Sequence, residues 1–371
     1  MTEYYHNWNM FSPDNTVINK ISNISLFLFT LLVSLFVLTG CFEFRNSPAP
    51  PQVNADEVLD LSGLWKFTIG DNMNWSVKDF DDSDWEEIKV PSSWENQGFH
   101  GYNGYAWYRN SFTFPQTISD ENIYLHLGYV DDVDEVYFNG QLIGLSGGFP
   151  PNYQTAYNAY RRYFIPKELI NKSAANIIAV RVYDAELEGG ILSGSIGLYR
   201  AKGILSPNIN LSGKWRFKTG DDSLWSHKSF DDSGWDHIFV PAHWETQGYK
   251  DYDGFAWYRK SFTIPKEYAD EKLILLLGKI DDIDQAFING KFVGSTGIWR
   301  EGETPTEFNR NNEYLELRAY FIPFGVLNKD GENVIAVRVF DGFRDGGIYE
   351  GPIGLITQKN YREYWQKKGD R

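Results

Sequence analysis

One stretch of this chain is written twice, 150 residues apart (280 − 130 = 150), and it limits what the chain can fold into more than any other feature. Val130-Asp-Asp-Val-Asp-Glu-Val-Tyr-Phe-Asn-Gly-Gln-Leu-Ile-Gly144 returns as Ile280-Asp-Asp-Ile-Asp-Gln-Ala-Phe-Ile-Asn-Gly-Lys-Phe-Val-Gly294. An Asn-Gly pair between strand-forming residues is the strongest short-range signal for a tight hairpin, because both central residues of that turn need positive φ. Written twice, it predicts two copies of one β-domain. The register extends upstream: Leu61-Ser-Gly-Leu-Trp-Lys-Phe67 matches Leu211-Ser-Gly-Lys-Trp-Arg-Phe217, and Trp65, Trp75, Trp85, Trp94 and Trp107 match Trp215, Trp225, Trp235, Trp244 and Trp257. Downstream, Arg162-Tyr-Phe-Ile-Pro166 matches Ala319-Tyr-Phe-Ile-Pro323 at an offset of 157, so the second copy gains seven residues (157 − 150 = 7) between 298 and 317. The copies close on Asn176-Ile-Ile-Ala-Val-Arg-Val-Tyr-Asp184 and Asn333-Val-Ile-Ala-Val-Arg-Val-Phe-Asp341, each followed by Gly-Gly-Ile.

Within each copy the apolar residues alternate, as in Tyr124-Leu-His-Leu and Ala179-Val-Arg-Val-Tyr, and glycine and proline interrupt at short intervals. That is the pattern of half-buried strands. The expected fold is all-β: two tandem antiparallel β-sandwiches of the jelly-roll type, residues 61–200 and 211–357, joined by a short linker at 201–210. The only segment with helical character is Tyr361 to Lys368, in the basic tail 358–371.

The formal net charge of −15 repels phosphate backbones and argues against nucleic acid as a partner. The single cysteine, Cys41, excludes an intramolecular disulfide and cysteine-based metal sites. It follows an apolar run, Ile24 to Leu38, and the sequence Leu38-Thr39-Gly40-Cys41 resembles a bacterial lipobox. On that resemblance residues 1–40 are a lipoprotein signal peptide, Cys41 is lipidated, and the protein is anchored to a membrane of the cell envelope; an uncleaved signal anchor is the alternative. Residues 41–60, with Pro48, Pro50 and Pro51, read as an extended linker.

The ordered motifs Leu-Ser-Gly-x-Trp, Phe-Asp-Asp-Ser-x-Trp, Val-Pro-x-x-Trp, Ala-Trp-Tyr-Arg, Asp-Asp-x-Asp, Asn-Gly and Asn-x-Ile-Ala-Val-Arg-Val occur in both copies. Together they resemble the sugar-binding jelly roll of the β-galactosidase and β-glucuronidase family. With Tyr-x-Ile-Pro and Gly-Gly-Ile they also resemble the jelly-roll domain of sialate O-acetylesterases. Both resemblances imply a galactose-binding-like fold and carbohydrate as the partner.

Catalysis is not expected. Glycosidases of the resembling family carry a pair of carboxylates on a separate barrel of about 250 residues, and no stretch outside the two copies has that length. The esterase family's Gly-Asp-Ser block has only a near miss at Gly220-Asp-Asp-Ser, matched in copy one by Gly70-Asp-Asn-Met. No histidine is shared between the copies, so there is no duplicated general base or metal ligand. The expected function is non-catalytic carbohydrate binding, with an accessory subunit of a separately encoded hydrolase or a structural interaction module as alternatives.

Carbohydrate recognition uses aromatic faces for the sugar's C–H surface and carboxylates, amides or guanidinium groups for its hydroxyls. Loops on a rigid sandwich are where such groups are presented, which selects Trp94, Glu95 and Tyr102 and their partners Trp244, Glu245 and Tyr252. By the family resemblance, the loop after the Ala-Val-Arg-Val strand adds Asp184, Glu188, Asp341 and Asp345. Trp299 and Arg300, in the inserted loop, stand opposite Phe149 and Pro150 and are the best expectation for a copy-specific contact. No cofactor or metal site is assigned. Asp131, Asp132 and Asp134, with Asp281, Asp282 and Asp284, leave a calcium site as an alternative, against the preferred reading that they bond backbone N–H groups beside the hairpin.

Overall fold

The computed structural model describes residues 55–119, 122–300, 305 and 312–369. Cys41 and the apolar run before it lie outside these residues. Both copies fall in one compact unit, Pro50–Arg371. Among the described residues no helix is long and apolar enough to cross a membrane.

Copy one contains β1 (Ala55–Asp60), β2 (Gly63–Ile69), β3 (Glu86–Val90), β4 (Gly104–Thr113), β5 (Ile123–Asp131), β6 (Val133–Phe138), β7 (Gln141–Ser146), β8 (Tyr160–Phe164), β9 (Ala175–Asp184) and β10 (Gly190–Ala201). Its sheets are ordered β3-β2-β4-β9-β6-β7 and β1-β10-β5-β8. Copy two contains β11 (Ile209–Asn210), β12 (Gly213–Thr219), β13 (Asp236–Val240), β14 (Gly254–Phe262), β15 (Leu273–Asp281), β16 (Ile283–Ile288), β17 (Lys291–Thr296), β18 (Arg318–Phe321), β19 (Asn333–Asp341) and β20 (Gly347–Thr357). It repeats the same orders as β13-β12-β14-β19-β16-β17 and β11-β20-β15-β18. The two antiparallel sandwiches expected from the repeats are present. The one helix longer than a turn among the described residues, α1 (Gln358–Gly369), is the basic tail.

The linkers are shorter than the sequence suggests. Residues expected as spacer up to 60 supply β1, which pairs with β10, and the joining segment supplies β11, which pairs with β20. An edge strand gains backbone hydrogen bonds that a free linker lacks, so each copy recruits the chain that precedes it.

The hairpins form as predicted. Asn139 and Gly140 have φ of 49° and 82°, and Asn289 and Gly290 have 50° and 77°. The asparagines do more than turn the chain. Asn139 Nδ2 donates to Asn176 Oδ1 at 2.9 Å while Asn139 Oδ1 accepts from the Ile177 amide; Asn289 repeats this with Asn333 and Val334. Each hairpin is thereby tied to the start of the adjacent β9 or β19, which accounts for the asparagine that opens Asn-x-Ile-Ala-Val-Arg-Val.

The six-stranded sheets are covered on both faces. Along β4, Ala106, Tyr108 and Phe112 enter the sandwich core with Trp65, Phe67 and Val180. Trp107 and Arg109 take the opposite face, as strand alternation requires. There Trp107 packs with Trp75 and Trp85, and Arg109 donates to the Asp82 carboxylate and to the Trp75 and Val77 carbonyls. Arg259 does the same with Asp232 and the His227 carbonyl.

The outer faces of the four-stranded sheets differ between the copies. In copy two, Ile274, Leu276 and Ile356 form an apolar patch with Leu317 and Ala319, covered by Leu205 and by Tyr361 and Tyr364 of α1. The corresponding positions in copy one are Tyr124, His126, Tyr199, Tyr160 and Arg162. His126 stacks on Tyr199 at 4.2 Å and its Nδ1 lies 3.3 Å from the Tyr160 hydroxyl. Burial, and then the nearby Arg162 charge, push its pKa from 6.5 down to about 4. The folded state therefore holds His126 neutral, and that contribution is complete above pH 6.5 and is lost as pH falls toward 4. At about 1.4 kcal/mol per pH unit, the loss approaches about 3 kcal/mol. Replacing His126 by leucine, the residue copy two uses, is expected to remove this part of the acid sensitivity. Urea titrations of both proteins at pH 7 and pH 4 check it: an unchanged stability difference at the two pH values contradicts the assignment.

Candidate functional site

The aspartates of the repeated hairpin divide into two roles. Asp134 is fully buried and receives the Arg161 Nε at 2.6 Å and the Tyr163 hydroxyl at 2.5 Å. Asp284 repeats this with Arg318 at 2.9 Å and Tyr320 at 2.7 Å. Arg161 also donates to the backbone carbonyls of Asp132 at 2.8 Å and Ala159 at 2.6 Å. The third aspartate of each motif is thus a structural anchor that holds the loop before β8.

The first two converge with the aspartate that ends β9. The Tyr183↔Val133 and Asp131↔Gly190 registers bring Asp131, Asp132 and Asp184 together, with one carboxylate oxygen from each within 4.8 Å of the other two. Asp281, Asp282 and Asp341 form the same triad in copy two. The Asp131–Asp132 and Asp281–Asp282 peptide bonds are both cis. Asp132 accepts from the Thr155 hydroxyl at 2.5 Å and the Ala185 amide at 3.0 Å, and these bonds hold its pKa below the usual carboxylate range despite burial. Burial, then the neighbouring Asp132, push Asp131 up to about 8. Asp184, with no exposed surface, is pushed up to about 7, chiefly by burial and then by the Asp132 and Glu95 carboxylates. Like charges this close cannot all ionise alone; either protons or a cation must offset them. The all-oxygen donor set of each triad could hold a metal ion.

The preferred sequence reading, backbone N–H pinning, accounts for Asp132 but not for the convergence with Asp184. Strand registers are needed to see that, and a hairpin motif alone does not supply them. Thr155 was also illegible, because it lies in the loop whose length differs between copies. The pairing of an Asp-Asp before one strand with the Asp that ends its neighbour is the signal that would have found the triad.

The remaining candidates fall into three groups. Trp94 and Trp244 are completely buried, at 0% exposure. Trp94 packs against Phe67 and Tyr102 and donates its Nε1 to the Tyr102 carbonyl at 3.1 Å. The expectation that these indoles offer a face to a sugar is corrected: the 3-10 turns Glu95–Gln97 and Glu245–Gln247 fold them inward, and Gly189 leaves room where a Cβ would stand 2.1 Å from the Trp94 ring. Tyr102 and Tyr252 are half-buried and cap the same rings, donating to the Tyr105 and Phe255 carbonyls. Their role here is packing and turn closure.

Glu95 and Glu245 pin the Gly-Gly-Ile loops. Glu95 Oε2 accepts from the Gly189 amide at 3.1 Å and Glu245 Oε2 from the Gly346 amide at 2.9 Å. The second oxygen, Oε1, is buried with no hydrogen-bond partner in either copy. Burial, then Asp341 and Asp345, push Glu245 up to about 8. Asp184 and Asp341 are likewise buried rather than exposed at a groove edge, because their Oδ1 atoms accept the Glu186 and Phe343 amides and turn the chain. Glu188 is exposed and Asp345 half-buried on the same loops.

Trp299 is not unique to copy two. Its indole donates to the Asp284 and Thr296 carbonyls and lies 4.8 Å from the Arg338 guanidinium, which Phe255 flanks at 4.5 Å. In copy one Phe149 and Tyr105 flank Arg181 at 4.3 and 4.8 Å. Trp299 therefore occupies the place of Phe149, stacking on an arginine that also donates to Asp71 and Glu135 in copy one, or to Asp221 and Gln285 in copy two. Arg300 beside it is exposed.

Two further contacts join the copies. A Cβ on Gly148 would stand 3.3 Å from the Thr246 carbonyl, and one on Gly248 would stand 3.6 Å from Asn152. The loop that closes the triad of copy one is thus seated against copy two.

Comparison with known proteins now bears on this architecture. The family profile described as beta-galactosidase second all-beta domain matches residues 70–188 and again 221–341. The chain belongs to this family. One match falls on each sandwich: the first includes Asp131, Asp132, Asp184, Glu95 and Glu188, and the second Asp281, Asp282, Asp341 and Glu245. Among curated proteins, one from Formosa agariphila bearing the name "Putative beta-glucuronidase" is 30% identical over 161 residues, 40% of this chain and 14% of that protein. A beta-galactosidase of Thermoanaerobacter pseudethanolicus is 28% identical over 137 residues, 35% of this chain and 17% of its own length. The similarity thus spans less than a fifth of either relative. Among solved structures, a beta-glucuronidase of Bacteroides uniformis matches 66% of this chain and 25% of its own, at 19% identity and a TM-score of 0.32.

Proposed function

We propose that this chain is a non-catalytic carbohydrate-binding protein built from two sugar-binding-type sandwiches. The observation that carries the reading is the family match itself: it falls twice on an accessory all-β domain of sugar-processing enzymes, and the described residues are almost entirely those two domains. Glu188 is exposed and Asp345 half-buried on the loops that follow β9 and β19, and carboxylates are of the type that binds hydroxyl groups. A glycan array probed with the full chain, purified in detergent, tests the reading. Selective retention of one glycan class supports it, and a folded protein that retains no glycan removes it.

The triads add a second element to the same proposal. Three carboxylates in each copy, at identical positions, suit a hard divalent cation of the calcium type. A ligand that binds only the folded state stabilises it by about 2.7 kcal/mol at a hundredfold excess over its Kd, which corresponds to about 5 °C or more for a protein of this size. Protein stripped with a chelator is expected to melt lower than protein given calcium by that amount. The gain should disappear in the double variant Asp132→Asn, Asp282→Asn. Equal melting temperatures with and without calcium remove the cation from the account.

A further inference from the structure

The loop ends of the two sandwiches are near-copies, whereas one sheet face is not. Copy two closes the outer face of its four-stranded sheet with aliphatic residues, the linker residue Leu205 and helix α1. Copy one presents on the same face Tyr124, His126, Tyr160, Arg162 and Tyr199. All three tyrosines are half-buried and Arg162 is exposed, so the ring surfaces are partly open to solvent. The rings form a continuous series: Tyr199 stacks on His126, which meets Tyr160 edge-on at 5.7 Å. The Arg162 guanidinium lies 5.7 Å from the centre of the Tyr124 ring, its one contact among the described residues that brings a ring to the charge.

This face runs into a cleft of about 590 Å³ between the copies. Tyr124, Tyr160 and Arg162 line one wall, and Lys279, Tyr349 and Lys368 line the other. Lys279 pairs with Glu350 at 2.9 Å; Lys368, on α1, stands over the Tyr364 and Trp365 rings. The lining thus carries three cationic side chains against one carboxylate in a chain whose net charge is −15. A cationic, aromatic surface on an acidic protein is complementary to an anionic ligand with apolar faces, and it disfavours anionic macromolecules that would need a wider basic footprint.

We infer that the tyrosine face of copy one and the adjoining cleft bind an anionic oligosaccharide, one whose sugar rings lie on the tyrosines and whose carboxylate or sulfate groups meet Arg162 and Lys368. The inference rests on the carbohydrate-binding reading above and names a different surface from the loop ends. It explains why copy two, whose equivalent face is covered, keeps leucine and alanine where copy one has Tyr160 and Arg162.

The test compares retention of the full chain by neutral dextran, dextran sulfate and short oligogalacturonate, in affinity gels at low and high salt. The wild type is expected to be retained by at least one anionic glycan and released by salt. Sulfate and carboxylate sources are told apart by which of the two retains it. The double variant Tyr160→Leu, Arg162→Ala installs the residues of copy two and is expected to lose affinity about tenfold, the effect of removing one charge-assisted contact of about 1.4 kcal/mol. Lys368→Ala, on the helix and outside the sheet, is expected to act in the same direction and guards against a folding artefact in the double variant. Equal retention on dextran and dextran sulfate, or unchanged retention of both variants, overturns the inference. Binding of neutral glycans alone overturns it while leaving the carbohydrate reading intact, and binding of none overturns both.

Discussion

Replacing Arg161 by methionine is expected to destabilise the protein by about 3–5 kcal/mol, the cost of leaving one member of a buried ion pair alone. Both side chains of the Arg161–Asp134 pair have no exposed surface. The guanidinium also holds the carbonyls of Asp132 and Ala159, so the loop before β8 loses its anchor together with the charge. Burial already raises the pKa of Asp134, and the Arg161 charge opposes that shift. Without Arg161 the carboxyl rises further and takes up a proton. A group whose folded pKa is raised contributes stability at low pH that is lost as pH rises through the folded value, so the deficit of the variant should shrink on acidification. The double variant Arg161→Met, Asp134→Leu should recover part of the loss, since an apolar pair needs no compensating charge. Urea unfolding of the three proteins at pH 7 and pH 5 measures this. A single variant as stable as the wild type would show that the pair is not the anchor described.

The second large effect is at Trp94. Truncation to alanine is expected to cost about 3–5 kcal/mol, the range for emptying a buried large aromatic site. Trp94 touches Phe67 and Tyr102, and its indole N–H is satisfied by the Tyr102 carbonyl. Had this residue been a ligand platform, its loss would lower affinity and leave stability unchanged. Chemical denaturation of Trp94→Ala separates the two roles, and a midpoint equal to that of the wild type contradicts the core assignment. Trp244, equally buried, should behave in parallel.

The fold was legible because its signals are local. Asn139-Gly140 and Asn289-Gly290 specify turns from two residues each, and the alternation of Trp107, Tyr108 and Arg109 assigns faces without any knowledge of the partner strand. The site was less legible because it depends on distances across the sheet. Asp131 and Asp184 are 53 residues apart (184 − 131 = 53), and only the pairings of β5 with β10 and of β6 with β9 bring them together. Trp94 follows a proline and precedes a glycine-rich loop, a context that reads as exposed; the 3-10 turn that folds it inward and the space beside Gly189 are tertiary facts. Trp299 reads as copy-specific because the residue opposite it, Phe149, is of another type; that both rings stack on an arginine, Arg338 or Arg181, is a tertiary fact. The most informative difference between the copies, Tyr160 and Arg162 against Leu317 and Ala319, is visible in the aligned sequences. Its meaning depends on knowing that α1 covers the one face and leaves the other.

We propose above that this protein holds carbohydrate without cleaving it. It is tested most directly by incubating the full chain with the glycan it retains best and following two quantities together, the bound fraction at equilibrium and the appearance of new reducing ends. Saturable binding with no reducing ends beyond the protein-free control is the predicted result. Turnover of the glycan, or a bound fraction that does not saturate, would contradict it.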